Sequence, residues 1–370
     1  MKVGIITWFK YDNYGTALQA IALQKFLRES LKMDAELIDF PIPAIPKRKK
    51  RSSLYDYLGK IYYHLMMLNS PDYCKETSEK FRRIIKDNCK ISRHIRNKDD
   101  YVDVCNEFDV LICGSDQIWN PNWFHPFYYA GYDEIRTRRI SYAPSFGVSV
   151  IPKKLESNYK MMLDRFSKLS VREDAGKKII ADITDKAVDI VLDPTLLIES
   201  SEWEKMESKE YVPDDDYLLC YMLSDNKRHW KSIRRFAKNN NLKMVVIPHD
   251  PHSYMQPAEV IRGCGVEDFL GLIHGAKYVI TDSFHGTIFS VIYKKDVAVF
   301  ERHNPAEQGS QNSRIYNLLE KLHLESVLLK YDTDYVETIN KIDYDEVYNY
   351  IRKEKAHSTS FIKEGIREVK

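Results

Sequence analysis

KYVITDSFHGTIFS, residues 277–290, reads as a strand, a polar turn and the first turns of a helix. Its apolar run shows no polar alternation, the pattern of a strand covered on both faces. Asp282 and Ser283 interrupt the run, and IFSVIYK continues as an apolar, helix-like stretch. A buried strand passing straight into a helix is half of a β–α–β unit, and such units build parallel sheets.

The same pairing recurs on either side. VGIITWF (3–9) leads through the loop KYDNYG into TALQAIALQKFLRESL, where Ala17, Ile21, Leu27 and Leu31 fall near helical spacing. AELIDF (35–40), DVLICGS (109–115), RRISYAPSFG (138–147), KLSVRED (168–174) and DIVLDPTLLI (189–198) supply further strands, with a helical REDAGKKIIADI between the last two. ESSEWEKMESKEYVPDDD (199–216) reads as a polar linker. Beyond it YLLCYML, LKMVVIP, KYVITDS and DVAVF form a second βα set. The expected fold is α/β, with two Rossmann-like parallel-sheet lobes and a central cleft, and with functional residues at the carboxyl ends of strands. The first lobe is placed at 1–205 and the second at 206–340; residues 341–370 read as one or two amphipathic helices.

Between the second and third strands lies an insertion. PIPAIPKRKKRSS (41–53) is Pro-rich with five consecutive basic residues, Lys47–Arg51, and precedes LYDYLGKIYYHLMMLNS and a charged helix, KETSEKFRRIIKDN. Two readings stay open: a peripheral contact with the anionic inner face of a membrane, or a surface loop beside a packed helix.

Composition bounds the rest. A chain of 370 residues with 44% hydrophobic and 30% charged content suits two soluble domains. A net charge of +2 supplies no global field for nucleic acid. The six cysteines show no C-x-x-C pair or metal-finger spacing, and several sit in apolar runs, which favours a reducing compartment. The chain enters a strand at Val3, where a signal peptide needs a longer apolar core. No apolar stretch approaches the roughly 20 residues of a spanning helix. The expected location is cytoplasmic.

The chemistry-bearing residues gather at strand ends. His285, beside Asp282 and Ser283, precedes Gly286 and Thr287, whose backbone N–H groups at a helix start are expected to bind an anion. A histidine there can hold a phosphate oxygen or move a proton near neutral pH. Ser115, Asp116 and Gln117 follow the third strand; Asp116 offers a carboxylate or a helix cap. Trp119, Trp123, His125, Tyr128 and Tyr129 come next, and such rings suit sugar faces as well as cores. Asn13 and Gly15 lie in a loop that opens onto the first helix. Arg172 ends a strand, where its planar fork suits carboxylate or phosphate or else pairs at the surface with Glu173 or Asp174. Arg314 begins a helix, and Arg302-His303 follows DVAVF. No metal-ligand cluster is visible.

Taken in order, YDNYGTALQA, ICGSDQIWNP, SYAPSFG, SVRED, VLDPTLL, ITDSFHGTIFS and SRIYNLLEKL resemble the polysaccharide pyruvyl transferase family, from the first strand to about Leu324. The resemblance implies a GT-B-like fold whose C-terminal helix returns to the first lobe. It also implies phosphoenolpyruvate as donor and co-substrate, no other cofactor, and a sugar acceptor that is often a lipid-linked precursor of a capsule or cell-wall polymer. By position His285 matches the family's functional histidine, and Arg172 best matches a phosphoenolpyruvate-binding arginine. Some members carry a basic residue where this chain has Ser283; Arg314 or the amides of Gly286 and Thr287 are the substitutes here. Asp116 is the expected base. Two alternatives stay open. One is a GT-B glycosyltransferase using a nucleotide sugar, although Glu301 is followed at the eight-residue spacing of retaining members by Gly309. The other is a non-catalytic polysaccharide-assembly protein.

Overall fold

Apolar runs become strands where a parallel sheet covers both their faces. β1 (Lys2–Ile6), β2 (Asp34–Leu37), β3 (Val110–Cys113) and β4 (Arg138–Ser141) pair in the order β2-β1-β3-β4. β5 (Leu169–Val171) and β6 (Val188–Ile190) form a two-stranded sheet, linked to β4 by an Ile140–Lys168 bridge and reciprocal Ser141–Ser170 hydrogen bonds. The second set comprises β7 (Tyr217–Tyr221), β8 (Lys243–Val246), β9 (Glu259–Val260), β10 (Tyr278–Thr281), β11 (Asp296–Phe300) and β12 (Leu328–Leu329). Its order is β12-β11-β10-β7-β8-β9. All pairings between these strands are parallel. The edge strands β9 and β12 are two residues long, too short for a period-2 pattern to show.

The structure, a computed structural model, describes residues 1–40, 71–306 and 312–367, without the side chains of 71–74 and 251. The Lys47–Arg51 cluster and LYDYLGKIYYHLMMLNS lie outside the described residues. Two compact units divide the chain. One takes residues 1–40, Ile85–Ile198 and the chain from Asp345; the other takes residues 71–84 and Glu199–Tyr344. The first unit's core gathers Trp119, Tyr128, Tyr129, Tyr159 and Phe166 around its sheet. The second packs Trp230, Ile233 and Phe236 of the helix Lys227–Asn239 onto β7, β8 and β10.

The stretch read as a linker is packed structure instead. Ser200–Glu204 is a helical turn whose Trp203 is fully buried, edge-on to Phe289 at 5.2 Å. Composition misled here because one buried indole outweighs several solvated charges. The charged helix spans Pro71–Asn88, and Lys80 reaches Asp268 at 3.0 Å. The chain's last helix is a single element, Tyr344–Arg367; its Ser358 hydroxyl accepts from the Leu192 amide at 3.0 Å within the first unit. Cys105, Cys113 and Cys220 are buried, and burial pushes the Cys105 thiol up to about 12, so they act as small hydrophobes. Among the described residues no helix is long and apolar enough to cross a membrane.

Candidate functional site

Each of the two larger sheets has a topological switch point, where successive connections leave one strand in opposite directions and loops part to leave a crevice. In the first unit this is β1/β3, since β2 and β3 flank β1. The loops that follow are tied together. Thr7 donates through its hydroxyl to the Ser115 carbonyl at 3.2 Å, and the Gln19 amide donates to the carbonyls of Trp8 and Thr16, each at 2.9 Å. Asn13 caps the helix Tyr14–Lys25 by accepting from the Thr16 amide at 3.0 Å, and Gly15 is buried in its first turn.

Asp116 stands at the centre of this junction, 7% exposed and with φ at 64°. Oδ2 accepts from Thr16 Oγ1 at 2.7 Å, Oδ1 from the Gln117 amide at 2.8 Å, and the Asp116 carbonyl from the Ser145 amide at 2.7 Å. Burial, more than the nearby carboxylate of Asp116, raises the pKa of the half-buried Tyr11 phenol.

Arg172, at the end of β5, donates through Nη1 to Asp193 Oδ2 at 2.7 Å, with Nε 3.8 Å from Glu173 Oε2. The three side chains are 3%, 1% and 3% exposed. Burial works to lower the guanidinium pKa, but Asp193, Glu173 and Asp116 together hold it above its ordinary value. Glu173 Oε1 also takes the Ser145 hydroxyl at 2.7 Å and the Phe146 amide at 3.1 Å, so one network links the ends of β3, β4 and β5.

In the second unit the switch point is β7/β10, because β8 and β10 flank β7. Asp282 staples it, accepting from the amides of Leu223 at 2.6 Å and Ser224 at 2.9 Å. Thr281 Oγ1 donates to the Tyr221 carbonyl at 2.6 Å. Ser283 caps the helix Phe284–Ile292 by accepting from the Gly286 amide at 3.2 Å, and its carbonyl takes the Thr287 amide at 2.9 Å. Glycine is required at 286, where a Cβ would lie 2.6 Å from Thr281 Oγ1. His285, 8% exposed, follows in the helix's first turn.

Residues 13–304 match the family model described as polysaccharide pyruvyl transferase. The chain belongs to that family. No curated protein matches the sequence. Among solved structures, the UDP-GlcNAc 2-epimerase of Neisseria meningitidis bound to UDP-GlcNAc is 12% identical with a TM-score of 0.51, covering 97% of this chain and 99% of that one. AviGT4, a glycosyltransferase involved in avilamycin A biosynthesis, is 13% identical with a TM-score of 0.51, covering 100% and 98%. At such identities the likeness is one of fold: an α/β chain with two Rossmann-like parallel sheets, as in GT-B-type enzymes.

Within this pyruvyl transferase chain the residues singled out from sequence separate into two groups, one in each unit. Asn13, Gly15, Ser115, Asp116, Gln117 and Arg172 gather at the strand ends of the first unit, and Ser283, His285, Gly286, Thr287 and Arg314 belong to the second. Several are occupied by the fold. Trp119 is no sugar platform: it is fully buried, stacked on Tyr129 at 5.4 Å and edge-on to Phe166 at 5.5 Å. Ser115 is fully buried, its hydroxyl donating to the Ala143 carbonyl at 3.1 Å. The amides of Gly286 and Thr287, expected to bind an anion, close the helix cap instead. Arg172 forms neither the surface pair with Glu173 or Asp174 nor an uncommitted anion ligand; its charge is matched inside the unit. Arg314, 9% exposed, lies 5.9 Å over the Phe284 ring. Sequence reading missed Thr16 as the partner of Asp116 and Asp193 as the partner of Arg172, for no local pattern marks either. Glu301 is also structural, accepting from the Tyr316 hydroxyl at 2.7 Å and the Tyr331 amide at 2.9 Å.

Proposed function

We propose that the protein transfers the pyruvyl group of phosphoenolpyruvate to a sugar of a polysaccharide or its lipid-linked precursor, forming a cyclic ketal. Family membership gives a transferase that modifies polysaccharide. The observation that carries the finer reading is the position of His285. It stands in the first turn of a helix at the β7/β10 switch point, where α/β sheets take ligands.

The proposed chemistry balances without a further cofactor. A proton is delivered to the methylene carbon of the enol, which becomes the methyl group, and the adjacent carbon acquires oxocarbenium character. One sugar hydroxyl attacks that carbon and loses its proton. The C–O bond to phosphate breaks, inorganic phosphate leaves, and a neighbouring hydroxyl closes the ring with loss of a second proton. His285 takes the acid or phosphate-contact role, for which an imidazole near neutral pH is suited. Asp116 takes the role of base, fixed by its hydrogen bonds from Thr16 and Gln117. Arg172 holds that carboxylate's surroundings rigid through Glu173 and Ser145.

Incubation with carbon-labelled phosphoenolpyruvate and a panel of oligosaccharides tests the reading. Label should enter the sugar with one phosphate released per pyruvyl group, and His285→Ala should abolish both. Incorporation from a nucleotide sugar, with phosphoenolpyruvate inert, would replace it with glycosyl transfer.

A further inference from the structure

A cavity of about 1350 Å³ lies wholly within the second unit. Its walls are the residues that follow β11, the segment around β12, the start of the helix Lys227–Asn239 and the helix Ser313–Lys321. From the last helix Tyr316, Leu319 and Glu320 line it, a spacing that puts all three on one helical face.

Hydrogen bonds tie these walls together. Glu301, 2% exposed, accepts from the Tyr316 hydroxyl at 2.7 Å and the Tyr331 amide at 2.9 Å. Lys330 Nζ stands 3.2 Å from Glu301 Oε1 and 5.8 Å from the centre of the Tyr316 ring. Asn226 donates through Nδ2 to the Tyr331 carbonyl at 3.2 Å, and its Oδ1 takes the Arg228 amide at 2.9 Å. The recess is thus preformed, as ligand sites usually are.

Its floor and rim differ in chemistry. Leu319 is buried, and Leu328 and Tyr316 are half-buried. Arg228, Glu320, Glu325, Lys330 and Asp332 are exposed around them. Counting Glu301, four lining carboxylates face two cations, and Glu301 already pairs with Lys330. That balance repels a polyanion. A wholly apolar ligand would desolvate the rim and give no hydrogen bonds in return. A sugar chain meets both surfaces. Its C–H faces suit leucine and the tyrosine ring, and its hydroxyls can donate to carboxylates. At about 1350 Å³ the space exceeds the roughly 300–1,000 Å³ of a small-molecule pocket, which suits several sugar units better than one.

We propose that this cavity is a saccharide subsite that holds a neutral segment of the glycan away from the reacting sugar. His285, Ser283 and Arg314 do not line it, so it is separate from the turn assigned to pyruvyl transfer. The assignment rests on the reading of the protein as one that acts on polysaccharide, and does not require phosphoenolpyruvate as donor.

Screening the full chain on an array of neutral oligosaccharides, then calorimetry with the tightest binder, tests the subsite. The double variant Glu320→Gln with Asp332→Asn should weaken that binder about tenfold with the melting temperature held, and Tyr316→Ala should weaken it further. Should Y316A fail to fold, the variant of the two exposed carboxylates carries the comparison. Undiminished affinity in the folded variants overturns the subsite and leaves pyruvyl transfer standing. Displacement of the oligosaccharide by inorganic phosphate would make this an anion site and overturn it too. Oligosaccharide binding that depends on these residues, in a chain inert toward phosphoenolpyruvate, upholds the subsite and removes pyruvyl transfer. A wild-type chain that binds no neutral oligosaccharide overturns the subsite.

Discussion

Thr16 Oγ1 donates a 2.7 Å hydrogen bond to Asp116 Oδ2 across 100 residues of sequence, joining the helix after β1 to the loop after β3. Asp116 adopts φ at 64°, a left-handed conformation that Asn tolerates nearly as well as Asp. Asp116→Asn therefore removes the charge without straining the turn. It should cost about 1 kcal/mol of stability and about a hundredfold or more in transfer rate. Product formation and thermal melting, measured side by side, check both. Turnover near that of the wild type would take Asp116 out of the mechanism.

Arg172 and Asp193 form a buried pair, 3% and 1% exposed. Removing Asp193 leaves the buried Arg172 guanidinium with the more distant Glu173 carboxylate, at 3.8 Å, as its ion-pair partner. Asp193→Ala should lower unfolding stability by about 3–5 kcal/mol, compounded by loss of its bonds from the Thr195 amide and hydroxyl. Urea denaturation measures this, and a change below 1 kcal/mol would show the pair to be dispensable.

Ser283 caps the helix that carries His285. Ser283→Ala should cost about 1 kcal/mol and loosen the turn that orients the imidazole. The expected signature is a small fall in melting temperature with a larger fall in kcat. Unchanged kcat at reduced stability would confine the cap to a structural role.

His229 is fully buried, stacked on Phe300 at 4.1 Å, with Nε2 2.8 Å from the Tyr331 carbonyl. Burial pushes its pKa down, against smaller opposing effects from Tyr331, Asp282 and Glu301. The sign follows directly: the folded value lies below the unfolded one, so protonation favours the unfolded chain. Stability should be flat above pH ~6.5 and fall as the pH drops from there through the lowered folded value, by at most about 1.4 kcal/mol per pH unit for this histidine. Half-buried His125 is lowered by burial too and adds to the same slope. Urea midpoints at pH 7.5 and 5.5 test this, and His229→Gln should reduce the difference between them.

Apolar runs bounded by polar turns are local in sequence, and they carried the fold far. KYVITDS, DVAVF, YLLCYML, DVLICGS and VGIITWF each contain a central strand of one of the two larger parallel sheets. The two-residue edge strands and the packed turn around Trp203 escaped, because neither spans enough residues for a period to show.

By itself the sequence determined the α/β class, the chemistry-bearing strand ends and the family motifs, all of which are read within a dozen residues at a time. Only the tertiary structure decided which polar groups there are already engaged. Arg172 meets Asp193 from 21 positions away, and Asp116 meets Thr16 from 100. Long-range hydrogen bonds and ion pairs depend on where the chain returns in space, and they leave no periodic trace in the residues that make them.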